Sequence, residues 1–143
     1  MADERSWSVC VPAEASRLQA LRALVREAAT DLGFAVPAVE DLVLAVNEAC
    51  MNVIQHGYRG AAGTLELQIL PLAAGIEIRL RDHASPVSLQ AWRGRDLREL
   101  RPGGLGVHFI RSIMDEIAYL PVPDATGNLL CMKKHCIAKA GDA

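Results

Sequence analysis

An acid and an amide one helical turn apart, Glu48 and Asn52, are the residues of this chain best spaced for chemistry. They lie in Glu48-Ala49-Cys50-Met51-Asn52-Val53-Ile54-Gln55-His56-Gly57-Tyr58, a helical stretch that stops at a glycine. At ~100° per residue they fall within about 40° of each other. The apolar stripe Val43, Val46, Cys50 and Val53 faces the other way, and Asp41, Ala45, Gln55 and His56 share the polar side. A solvated helix face would look similar, but two features favour a site. Asparagine is a poor mid-helix residue because its amide competes for backbone partners. Ala45 and Ala49 flank Glu48 with almost no side chain, which leaves room for a ligand. The Asn52 carbonyl oxygen suits Mg²⁺, a hard cation that brings substrate phosphates with it. Glu48 is placed to orient or deprotonate a hydroxyl nucleophile. His56 reads as a helix-end polar residue.

Two further signals follow in the chain. Asp82 ends an alternating strand and precedes His83-Ala84-Ser85-Pro86. A carboxylate there can accept a hydrogen bond from an exocyclic amine such as that of adenine, although strand-ending turn aspartates are common. Pro102-Gly103-Gly104-Leu105-Gly106 then heads an apolar-periodic segment. Glycines let backbone amides approach an anion, and a helix N-terminus adds a favourable dipole; a flexible hinge is the plainer reading. The loop is no Walker A motif, because no Gly-Lys-Ser/Thr follows. Its spacing and position also exclude a dinucleotide fingerprint. Arg93, Arg95, Arg98 and Arg101 form the one local concentration of positive charge, beside this loop, and point to phosphate if they are more than a solvated face.

The elements that must hold these residues can be read from periodicity. Trp7 to Val11 reads as a strand. A helix starts at Pro12-Ala13-Glu14, repeats Leu18, Leu21, Val25, Ala28 and Leu32, and closes at Gly33. Pro37 opens a second helix that runs to Gly57. Leu65, Leu67 and Ile69 alternate as one strand, and Ile76, Ile78 and Leu80 as the next. His83 to Arg101 is the least regular stretch and a candidate lid, taken as about residues 83–106 with the glycines. Gly106 to Tyr119 is expected to be helical, and a last hairpin to turn near Pro123 to Gly127. This order predicts an α+β two-layer sandwich: a mixed, mostly antiparallel sheet with helices on one face.

Bulk properties narrow the function classes. The 143 residues suit a single domain, 1–143, with a real core. A formal net charge of −2 gives no global attraction to nucleic acid or anionic lipid. No apolar run is long enough to span a bilayer, and no signal peptide is expected. Cys10, Cys50, Cys131 and Cys136 form no CxxC pair, so free thiols and a cytoplasmic location are expected. No Cys/His metal site is expected from Cys131, His135 and Cys136.

Taken together, these residues resemble the anti-sigma factor serine/threonine kinases of bacterial partner-switching systems, in the GHKL (Bergerat-fold, histidine-kinase-like) ATPase superfamily. Val43-Leu44-Ala45-Val46-Asn47-Glu48-Ala49-Cys50-Met51-Asn52, with His56-Gly57-Tyr58, looks like the N-box. Leu80-Arg81-Asp82-His83-Ala84-Ser85-Pro86 stands where the first glycine box does, and Gly103 to Ile110, continuing to Glu116, resembles the second. Gly127 to Lys134 looks like the final strand. The resemblance implies ATP and Mg²⁺ as cofactors. Glu48 would be the catalytic base, Asn52 the Mg²⁺ ligand and Asp82 the reader of the adenine amine. Gly103, Gly104, Leu105 and Gly106 would wrap the phosphates, with Arg101 a candidate γ-phosphate contact. It also implies a homodimer that phosphorylates a small anti-anti-sigma protein and holds a sigma factor inactive, with no direct contact to nucleic acid or membrane.

One position departs from the pattern. The first glycine box normally reads Asp-x-Gly, and Ala84 replaces the glycine. A glycine there would serve a positive φ or a close approach to the base; if Ala84 must adopt that geometry it costs on the order of 1 kcal/mol and weakens nucleotide binding. A non-catalytic module that sequesters a partner is therefore the alternative function. The ATP-binding domain of a histidine kinase is disfavoured, because no preceding helix is expected to carry a phosphoacceptor histidine. No Ser/His/Asp or paired-carboxylate set supports a stand-alone hydrolase.

Overall fold

The computed structural model describes residues 5–86, 104–122 and 126–136. Five strands form one sheet: β1 (Trp7–Pro12), β2 (Thr64–Leu72), β3 (Gly75–Asp82), β4 (Glu116–Tyr119) and β5 (Asn128–His135), in the order β1-β2-β3-β5-β4. Among the described residues three α-helices accompany them: α1 (Leu18–Asp31), α2 (Val36–Asn52) and α3 (Gly104–Ile113). The α+β two-layer architecture expected from the alternation is the one observed. Each pairing between described strands is antiparallel.

Period-two alternation sends one face of every central strand inward. Leu65, Leu67 and Ile69 of β2, Ile76, Ile78 and Leu80 of β3, and Leu130 and Met132 of β5 are buried against Leu21, Val25, Leu42, Val46 and Ile110 of the helices. Each such aliphatic side chain contributes about 1.5–3 kcal/mol on burial. The helix α2 touches α1 on one side and α3 on the other. Its buried arc is therefore wide: Leu42, Val43, Ala45, Val46, Ala49 and Cys50 are all buried. Ala45 and Ala49 thus serve close helix packing. They do not open room beside Glu48, as the wheel had suggested.

The third helix is shorter than its apolar repeat predicts. It ends at Ile113, and Glu116–Tyr119 is the edge strand β4, paired with Lys133 to Leu130 of β5. The switch is visible in successive backbone bonds. The Met114 N–H donates to Ile110 O at 2.9 Å, a last helical bond, whereas the Asp115 N–H donates to Lys133 O at 2.9 Å, already across the sheet. The ammonium of Lys134 caps the Ile113 carbonyl at 3.0 Å. Ile117 and Tyr119 also suit a strand by side-chain type. Of the expected lid, the arginine cluster including Arg101, and Pro102 and Gly103, lie outside the described residues. No described helix is long and apolar enough to cross a membrane.

Candidate functional site

The helix α2 does not simply run on to Gly57. After Asn52 it widens into a five-residue π turn, Val53–Gly57, closed by the Tyr58 N–H donating to Val53 O at 2.8 Å. Single π turns inside helices concentrate at functional sites because they re-aim the side chains around them. This one begins directly after Asn52.

The Asn52 side chain is the principal anomaly of the structure. Both amide atoms, Oδ1 and Nδ2, are buried, and neither has a hydrogen-bond partner among the described residues. A buried polar group without a partner costs about 1–3 kcal/mol. A solvated helix face would show no such penalty, so that reading fails for this residue. Asn52 and Glu48 line one cleft of about 440 Å³ together with Arg22, Asn47, Met51 and Gln55. The volume is in the range of small-molecule sites. Arg22, reached from α1, donates to Asn47 Oδ1 at 2.8 Å. The pairing of Arg22 with Asn47 has no signal in the sequence, because the crossing of α1 over α2 is a tertiary event that no single-helix pattern encodes.

Asp82 ends β3 and is only 4% exposed. Its Oδ1 accepts the Ala84 N–H at 2.8 Å and an Nδ2 hydrogen of Asn128 at 2.9 Å. Asn128, first residue of β5 and directly opposite Asp82 in the register, also donates to Ser85 O at 3.0 Å. Ala84 is buried and has no positive φ; among described non-glycine residues only Arg59 has one, at 54°. The strain that a positive φ would impose on Ala84 is therefore absent. The methyl of Ala84 instead sits over Gly57, where an added Cβ would lie 3.0 Å from it. Alanine at 84 is accommodated by glycine at 57.

A second link joins the same two regions. The hydroxyl of Tyr58 donates to Thr64 O at 2.9 Å and accepts the N–H groups of Thr64, at 3.3 Å, and His83, at 2.8 Å. The end of the π turn is thereby tied to the first residue after Asp82. Asp82 and Ala84 do not line the Glu48–Asn52 cleft, but Gly57 and Tyr58 bridge the two groups. Gly104, Leu105 and Gly106 form the first turn of α3.

Two of the four thiols are held inert by their surroundings. Burial pushes the Cys50 thiol up to about 12. Burial, then the neighbouring Glu77 carboxylate, raises that of Cys131. Both thiols stay protonated and unreactive near neutral pH.

Comparison with known proteins places this geometry. The model of a histidine kinase-like ATPase domain matches residues 11–134. A serine-protein kinase RsbW of Halalkalibacterium halodurans is 30% identical over 132 residues, 87% of this chain and 79% of that protein. A serine-protein kinase RsbW of Bacillus cereus strain AH820 is 27% identical over 115 residues, 75% of this chain and 72% of that protein. Among solved structures, the RsbU and RsbW domains of a Mycobacterium tuberculosis protein superpose with a TM-score of 0.64 at 16% identity, over 92% of this chain and 32% of that one. The histidine kinase domain of an Erythrobacter litoralis blue-light-activated kinase does so with a TM-score of 0.57 at 13% identity, over 92% of this chain and 64% of that one. These two likenesses speak to the fold alone. The family match along most of the chain, with the 30% identical relative, establishes that this protein belongs to the histidine kinase-like ATPase family, in its anti-sigma serine-protein kinase branch.

Proposed function

We propose that this protein is an ATP-dependent serine/threonine kinase that phosphorylates an anti-anti-sigma partner and, as a cytoplasmic homodimer, sequesters a sigma factor. The observation that carries the reading is the buried, unpartnered amide of Asn52, in one cleft with the Glu48 carboxylate. An oxygen left without a donor fits a hard cation, so Asn52 Oδ1 would hold Mg²⁺. That ion supplies charge neutralisation for the nucleotide phosphates. Glu48 accepts the proton of the attacking serine or threonine hydroxyl, whose oxygen bonds to the γ-phosphorus as the bridging P–O bond breaks and ADP leaves. Asp82 accepts the adenine amine. Gly104, Leu105 and Gly106, at the start of α3, present backbone N–H groups to the phosphates, with Gly103 and Arg101 beside them in the chain. The relatives are serine-protein kinases, which supports the choice of a hydroxyl acceptor.

The test separates binding from chemistry. In Glu48→Ala, ATP affinity should stay within about threefold of wild type, while phosphotransfer to the cognate partner falls by about 10²-fold or more, the usual yield of a positioned base. Loss of ATP binding in Glu48→Ala would make Glu48 a structural residue and contradict the assignment.

A further inference from the structure

We propose that Gly57 and Ala84 are a matched pair that sets how far the Asp82 corner stands from the Asn52 turn, so that one ATP molecule can reach both. The inference rests on the nucleotide reading of the site and goes beyond it to the contact between the two halves.

Glycine at 57 is not demanded by the backbone. Among the described residues, the glycines with a positive φ are Gly33, Gly60 and Gly127. Gly57 is the last residue of the π turn, a helical setting in which alanine is intrinsically preferred to glycine. What excludes a side chain is space. An added Cβ would lie 3.0 Å from the Ala84 Cβ and 3.7 Å from Val53 Cγ1. Carbon atoms pack best at about 3.5–4.0 Å, so Ala84 would have to give way. Position 57 is small because position 84 is not.

Ala84 is poorly placed to yield. It is 8% exposed, and its N–H donates to Asp82 Oδ1 at 2.8 Å. A push on its methyl is passed through that bond to the carboxylate. The adjacent contact bounds the same seam from the other side: the His83 N–H donates to the Tyr58 hydroxyl at 2.8 Å. This hydrogen bond limits how far the two segments can part, and the Ala84 methyl limits how closely they can approach. The seam joins the halves of the site directly. The π turn that Gly57 ends begins right after Asn52, and Ala84 follows Asp82 by two residues.

A ligand held at both ends feels the separation of its two anchors. Site residues have to be held within about 0.5 Å of the productive geometry. ATP would meet Asp82 at its amine and the Asn52-held cation at its phosphates, so a shift of that size at the seam costs one of the two contacts. The seam has room for one methyl, on either side, and not for two.

The experiment is a double-mutant cycle on the full chain, read by calorimetric titration with ATP in Mg²⁺ and by thermal melting. Gly57→Ala should weaken ATP by about tenfold or more, the loss of one contact to a charged group. The exchanged pair, Gly57→Ala with Ala84→Gly, should bind ATP within about threefold of wild type. Ala84→Gly should therefore tighten ATP by about tenfold in the Gly57→Ala background, and should not tighten it in the wild-type background. Equal gains in both backgrounds overturn the proposal, because the two positions would then act independently. A folded Gly57→Ala that melts lower but binds ATP as wild type does also overturns it, since the contact would serve packing alone. If Gly57→Ala does not fold, the exchanged pair decides. Folding with wild-type affinity supports the pair, and failure to fold or weak binding overturns it. Each of these failures leaves the nucleotide reading standing, whereas wild type that binds no ATP overturns that reading and this inference together.

Discussion

Asn52 sets stability against the function proposed for it. Its amide is buried without a partner among the described residues, at the junction where α2 passes into the π turn. Folding should improve when that amide is removed. Asn52→Leu is predicted to stabilise the protein by about 1–3 kcal/mol, the cost of an unsatisfied buried polar group, measured as a shift in denaturant midpoint with an unchanged slope. A destabilised Asn52→Leu would mean that the amide is satisfied in solution and would weaken the case for a cation there. The sequence shows that Asn52 is in the wrong place for a helix. It does not show burial, because the wheel treats α2 as having one packed side, whereas α1 and α3 enclose it on two. Glu48 was legible for the same reason as Asn52, by spacing. Arg22, in the same cleft, was not, because its neighbours are set by how α1 crosses α2.

At the scale of elements, the informative piece is the junction from the π turn to the end of β3. Gly57 and Tyr58 looked like a helix stop, and the stop is real, but the pair does more. Gly57 gives room to the Ala84 methyl, and the Tyr58 hydroxyl holds the His83 N–H. Tyr58→Phe removes the hydroxyl and keeps the ring. It should cost about 1 kcal/mol, lower the melting temperature by about 2–4 °C, and speed hydrogen exchange at the His83 amide. Unchanged exchange at His83 would show that the hydroxyl does not hold that corner. The strain expected at Ala84 was a local argument from residue type, and it failed because the backbone there needs no positive φ. The helix expected to run to Tyr119 failed for a comparable reason. Ile113, Met114 and Ile117 fit a helical repeat, but β5 offers an open edge, and Ile117 and Tyr119 pair with it instead. A strand formed by pairing is invisible to a periodicity measured along one segment.

For the whole molecule, the sandwich places the two halves of the proposed site in different layers. Asn52 and Glu48 come from the central helix, and Asp82 with Asn128 from adjacent strands of the sheet. The layer order was legible because alternation and helical repeat are strong in β2, β3, α1 and α2. The Asp82–Asn128 pair was not, since it depends on the register of strands some forty-six residues apart. Together these layers are proposed to bind ATP with Mg²⁺. Isothermal titration of the full chain with ATP, with and without Mg²⁺, tests this most directly when wild type is compared with Asn52→Ala. The account predicts Mg²⁺-dependent binding in wild type that is weakened about tenfold or more in Asn52→Ala, the loss expected when a charged group's ligand is removed. Absence of binding at millimolar ATP, or binding equally strong without Mg²⁺ and in Asn52→Ala, would contradict it.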